Sequence, residues 1–141
     1  MIRRPPRSTQ GVSSAASDVY KRQKVYPNKF GENKNSEIAK AMDIARGGYF
    51  KNVPNSYPSS AWYTYDDKTC NYSCQITEYT YWALTSILGG QEYPGRLEEI
   101  QHEWRLNTKE KVKNNDPTVY SLLTDPQFKF PTNLPDGKYW E

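Results

Sequence analysis

The sequence predicts a mainly α fold: a small bundle of three to four helices with long aromatic-rich loops, forming an incomplete domain. Three observations lead there. Apolar residues recur at helical spacing in several segments, each bounded by a capping residue, a Gly or a Pro. Tyr and Trp are abundant, at 12 and 4 residues, while aliphatic residues are few, so the core must be built from aromatic bodies whose polar tips need partners. A domain cut from a larger one carries the same surplus of aromatic surface. No run of about 18 apolar residues exists, so no membrane span is expected.

The first predicted helix covers 36–46. Asn35 or Ser36 can cap it, Ile38, Ala41, Met42 and Ala45 fall on one face, and Gly47 stops it. Its small apolar residues allow close packing. Residues 48–69 read as loop, with Pro54 and Pro58; within them "AWYTYDD" alternates and suits a short edge strand or an ordered loop. The strongest helix is 71–88, ended by Gly89–Gly90. Ile76, Tyr81, Ala83, Leu84, Ile87 and Leu88 span more than half its circumference, with Trp82 on the remaining side. A helix that apolar is central. A third is predicted over 95–106, opened by Pro94, with Leu97, Ile100 and Trp104 inward. "KEKVK" at 109–113 reads as a solvated helix face. A fourth covers 117–124, with Asp116 as cap, Pro117 first, and Val119, Leu122 and Leu123 inward; Asp125–Pro126 ends it. The tail "FKFPTNLPDGKYWE", from Phe128 on, is extended, with a turn at "PDG".

The opening 23 residues are basic and Ser-rich. They lack the apolar segment of a secretory signal and the helical periodicity of a transit peptide. "MIRRPPRST" and "VSSAASDVYKRQ" closely resemble the conceptual translation of sequencing-adapter DNA. The resemblance implies that 1–23 are an artefactual, disordered tail and that 24–141 are the C-terminal part of a single globular domain, its authentic upstream part missing. It also changes the charge. The whole chain carries 19 basic against 16 acidic residues; without the five basic residues and one acid of 1–23, it carries 14 against 15. The positive balance disappears, and with it the case for nucleic acid.

Few residues are candidates for chemistry. Cys70 and Cys74 stand at C-x3-C spacing before the central helix. They read as a local disulfide suited to an exported protein, with two free thiols as the alternative; the chain has one His, too few to complete a zinc set. Glu78 lies on the central helix, where a carboxylate is costly unless paired, protonated or metal-bound. It is either a ligand or general acid/base facing a cleft, or a surface Glu satisfied by a Tyr hydroxyl or an Arg. His102 and Glu103 do not make H-E-x-x-H, because Leu106 stands where the second His belongs; the helical wheel turns His102 to solvent. Asp66 and Asp67 can offer oxygens to Ca²⁺ but read more simply as a turn. No phosphate-binding loop, nucleophile elbow or nucleotide fingerprint is present.

"YPNKFG", "AMDIARGG", "AWYTYDD", "CNYSCQITEYTYWALTSILGGQ" and "LLTDPQFKFPTNLPDGKY" together resemble the C-terminal part of a family of exported bacterial and environmental proteins. That resemblance implies a His-containing helix just before "YPNKFG" and an extracellular or periplasmic location; it implies no established activity. "TEYTYWALTS" is also similar to the helix that carries the third ligand, a Glu, in gluzincin-type zinc peptidases, with Glu78 at the ligand position. The similarity implies a secreted zinc metallopeptidase-like protein acting on peptides when full length. This piece is then inactive and without a cofactor of its own, its partner being the missing N-terminal part of the domain. The alternative is a non-enzymatic extracellular binding or structural module, in which Trp62, Tyr63 and Tyr65 stack on a glycan, a peptide or a partner domain.

Overall fold

The structure is a computed structural model and describes residues 14–132. Its axis is the helix Tyr72–Ile87. Asn71 caps it by accepting a hydrogen bond from the Cys74 N–H at 2.9 Å, and Gly89 turns the chain away at φ 86°. Buried residues occur all round it, from Gln75 and Ile76 to Trp82, Thr85 and Ser86. Trp82, on the side left over by the apolar sector, is buried beneath the Arg96 guanidinium, 5.8 Å from its ring centre.

Seven helices occur among the described residues: α1 Ser14–Val25, α2 Pro27–Phe30, α3 Glu37–Arg46, α4 Tyr72–Ile87, α5 Arg96–Ile100, α6 Lys109–Asn115 and α7 Pro117–Thr124. This exceeds the three to four expected, partly because α2 and α5 have only four and five residues. Ser36 caps α3 by accepting from the Ala39 N–H, and Gly47 ends it at φ 82°. Ile38, Ala41, Met42 and Ala45 are buried, as their spacing predicts. Arg46, also fully buried, ties α3 to α4. It donates through Nη1 to Gln75 Oε1 (2.5 Å) and the Phe50 carbonyl (3.0 Å), and through Nη2 to Asp43 Oδ1 (2.8 Å). The Tyr72 hydroxyl donates to the same Asp43 carboxylate at 2.9 Å.

The helix expected over 95–106 is shorter. It ends at Ile100 and turns Arg96 and Ile100 inward, leaving Leu97 half-buried. Tertiary pairing overrides the helical stripe here. Trp104 donates through Nε1 to Ser86 Oγ (3.0 Å) and the Leu106 carbonyl (2.9 Å), and its backbone forms an antiparallel bridge with Tyr63. The Thr64 N–H donates to the Glu103 carbonyl (2.8 Å) and the Arg105 N–H to the Trp62 carbonyl (3.1 Å). The alternating "AWYTYDD" segment is thus an ordered loop with one bridge.

Residues 14–23 correct the expectation of a disordered tail. They lie in α1, Val19 is fully buried in the core, and the Arg22 Nε donates to the Phe128 carbonyl at 3.0 Å. Long-range packing accounts for the order, since α1 has little amphipathic pattern of its own. Beside it Phe30 meets Phe128 and Phe130 edge-on, at 4.9 and 5.0 Å between ring centres. Residues 1–13, and the "PDG" turn at 135–137, lie outside the described residues. Pro126–Phe128, after α7, forms a single 3₁₀ turn that takes in the first residue of the segment expected to be extended. No helix among the described residues is long and apolar enough to cross a membrane.

Candidate functional site

Two grooves are lined by some of the residues singled out by the sequence: Cys74 and Glu78 in one, Asp66 and His102 in the other. The first runs along the N-terminal half of α4. It is a cleft of about 350 Å³ lined by Glu32, Asn71, Ser73, Cys74, Thr77, Glu78 and Tyr81. Their spacing along one helix explains the grouping: positions 74, 77, 78 and 81 share a face. Glu78 is only 2% exposed but lines this cleft. Its carboxylate also reaches inward electrostatically. The buried Tyr63 phenol is pushed well above its ordinary value of 10.0, first by desolvation and then by the Glu78 charge. Thr77 donates to Glu32 Oε2 at 2.5 Å and accepts from Gln23 Nε2 of α1 at 2.9 Å. So α1 lies against α4 one residue from Glu78. Cys70 and Cys74 form a disulfide, with Cα atoms 5.2 Å apart, which closes the chain at the entry to α4 and places Cys74 on the cleft wall.

The aromatic loop takes a different role from the one expected. Tyr63 and Tyr65 are buried, and Trp62 is half-buried. Tyr63 sits between Tyr79 and Trp104, at ring-centre distances of 5.3 and 6.2 Å, and donates from its hydroxyl to the Gln75 carbonyl at 2.7 Å. The Trp62 Nε1 donates to Asp116 Oδ2 at 3.1 Å. These rings are spent on the core, and Tyr63 and Tyr65 offer no open face for stacking. The alternation in "AWYTYDD" signals a half-buried segment as well as it signals a binding loop, and packing decides for the former.

The second groove, of about 420 Å³, opens where the proline-bearing loop meets the chain after α5. Pro54, Tyr57, Pro58, Asp66, Lys68, His102 and Arg105 are among its walls. The Tyr57 hydroxyl donates to the Tyr65 carbonyl at 2.6 Å, and burial pushes the phenol up to about 12. At the rim, Asp66, His102 and Glu103 converge, each offering one ligand atom within 4.8 Å of the others. His102 is half-exposed, in keeping with its expected solvent-facing position, but Glu103 is almost wholly buried. Asp67 turns away from this cluster and accepts from the Thr69 N–H (2.9 Å) and hydroxyl (2.6 Å), the turn read in the sequence. No sequence spacing could have joined Asp66 to His102–Glu103; the bridge between Tyr63 and Trp104 does so.

A catalytic zinc of the kind the resemblance implies takes about three protein ligands and an open position. The residues around Glu78 do not meet that need. The sequence contains one His, and His102 lines the other groove. Glu32 and Glu78 leave the first cleft with carboxylates, hydroxyls and an amide, but no imidazole. No protein-family model, curated protein or solved structure matches this chain.

Proposed function

We propose that this chain is the Glu78-bearing part of an exported zinc-peptidase-like protein whose full-length form carries its imidazole ligands on a helix at the position before Tyr26. The observation that carries the reading is the placement of Glu78: a nearly buried carboxylate on the central helix, lining an open cleft beside α1. The family resemblance calls for a His-containing helix just before "YPNKFG", and α1 occupies that sequence position and packs on α4 at Thr77. This chain carries no His on α1, so it is inactive as a peptidase and takes no zinc at Glu78. The Cys70–Cys74 disulfide supports an oxidising compartment, extracellular or periplasmic.

The test rebuilds the absent half. Val19 and Gln23 are one turn apart on α1 and so share a face, and Gln23 already touches Thr77. The double variant Val19→His/Gln23→His should gain one zinc equivalent by titration calorimetry and lose it when Glu78→Gln is added. The single variant Gln23→His, at a half-buried position, leaves the core intact and should bind zinc more weakly with the same dependence on Glu78. Folded variants that bind no more zinc than the parent, or bind it regardless of Glu78, refute the reading.

The structural alternative, a non-enzymatic extracellular module, draws support from the closed packing of Trp62, Tyr63 and Tyr65. It gains if those variants fail.

A further inference from the structure

The second groove supports a separate conclusion. We infer that Asp66, His102 and Glu103 bind a divalent transition-metal ion, zinc above all, at its rim. The donor set is one imidazole nitrogen and two carboxylates, which suits zinc and leaves a fourth position for water. In a tetrahedral zinc site with bonds of about 2.0–2.1 Å, neighbouring ligand atoms stand roughly 3.3–3.5 Å apart. Here His102 Nε2 lies 3.2 Å from Glu103 Oε2 and 4.0 Å from Asp66 Oδ2. Only the Asp66 side needs to close, and Asp66 is the most exposed of the three, at 61% against 47% for His102 and 1% for Glu103.

The backbone holds this arrangement in place. Thr64 fixes both halves: its N–H donates to the Glu103 carbonyl at 2.8 Å and its hydroxyl to the His102 carbonyl at 2.7 Å. With Arg105 N–H on the Trp62 carbonyl, these bonds clamp the loop carrying Asp66 to the turn carrying His102 and Glu103. A site on such a clamp is preorganised, so little ordering is lost on binding. The nearby cations are committed elsewhere. Lys68 Nζ donates to the Pro54 carbonyl (3.0 Å) and Asn55 Oδ1 (2.9 Å), and Arg105 Nη1 to the Ala61 carbonyl (2.9 Å) and Thr64 Oγ1 (3.2 Å).

Glu103 is the fixed member of the cluster: it is buried, and its carboxylate faces His102. Asp66 and His102 both line the groove, so an exchangeable water on the metal would face a space of about 420 Å³.

Zinc chloride titrated into the intact chain, purified without chelator, should bind at one equivalent in calorimetry. Cobalt(II) in its place should give the visible absorption of a tetrahedral centre. His102→Ala should weaken zinc at least as much as loss of an outer-sphere partner does, about 10–100-fold, and Asp66→Asn should weaken it as well. These two half-exposed positions carry the decision, because a variant at the buried Glu103 can fail to fold. Glu78→Gln should leave the titration unchanged, which separates this site from the first cleft. The inference is overturned if the folded parent shows no saturable zinc binding, or if binding survives His102→Ala undiminished.

Discussion

Replacing Asp116 by Ala tests how this aromatic core is held. Asp116 lies between α6 and α7 and is almost fully buried. Its Oδ2 accepts from the Tyr79 hydroxyl at 2.5 Å and the Trp62 Nε1 at 3.1 Å; its Oδ1 caps α7 by accepting from the Val119 N–H at 3.3 Å. Loss of the cap costs about 1 kcal/mol. Removing the carboxylate to which the buried Tyr79 hydroxyl donates costs roughly 1–3 kcal/mol more. The total is about 3 kcal/mol, which in a chain of this size lowers Tm by roughly 10 °C. Differential scanning calorimetry at pH 7 reads it directly. A fall of less than about 3 °C would show that the carboxylate is not the anchor its contacts suggest. The pH dependence adds a second readout. Burial raises Asp116 above its ordinary value of 3.8, against the lowering effect of Tyr79, Trp62 and Val119. The folded chain therefore holds this proton to higher pH than the unfolded chain does. Between 3.8 and the raised value the native state binds more protons, so this group's contribution to stability falls as pH rises through that window. Asp116→Ala should abolish that component and leave the opposite, stabilising slopes of ordinary carboxylates.

Two further substitutions test the supports of α3 and α4. Cys70→Ser/Cys74→Ser opens a bridge of sequence separation 4, and chain entropy for so short a loop predicts a loss of about 2 kcal/mol in urea unfolding; an unchanged midpoint would contradict that. Gly47→Ala forces a side chain into a left-handed residue at φ 82°, with its Cβ 2.8 Å from Pro58 Cγ. It should cost about 1–2 kcal/mol from the backbone alone, more if Pro58 cannot move, and parental stability would show that the α3 terminus relaxes freely.

What the sequence made legible was local. The caps of Ser36 and Asp116 and the stops at Gly47 and Gly89 act through neighbours a few residues away, and α3, α4 and α7 fall within a residue or so of their expected bounds. The Cys70–Cys74 pair is local for the same reason. What escaped depends on distant partners. α5 ends early because Trp104 bridges to Tyr63 and bonds Ser86. α1 orders because Val19 and Arg22 find the core and the Phe128 carbonyl about a hundred residues on. Glu103 is buried where the wheel turned its neighbour to water, since the wheel assumed a helix that the chain leaves at Ile100. Glu78 was legible as a residue out of place on an apolar helix; the cleft beside it was not, because Glu32 closes it from outside that helix.

The central claim, that Glu78 is one ligand of a site completed from the helix before Tyr26, is tested most directly by zinc titration of Val19→His/Gln23→His in a His102→Ala background. That background silences the second groove. The account predicts one zinc equivalent, lost on adding Glu78→Gln with the fold retained by circular dichroism. A folded variant that binds no zinc, or binds it equally with Gln at 78, would contradict it.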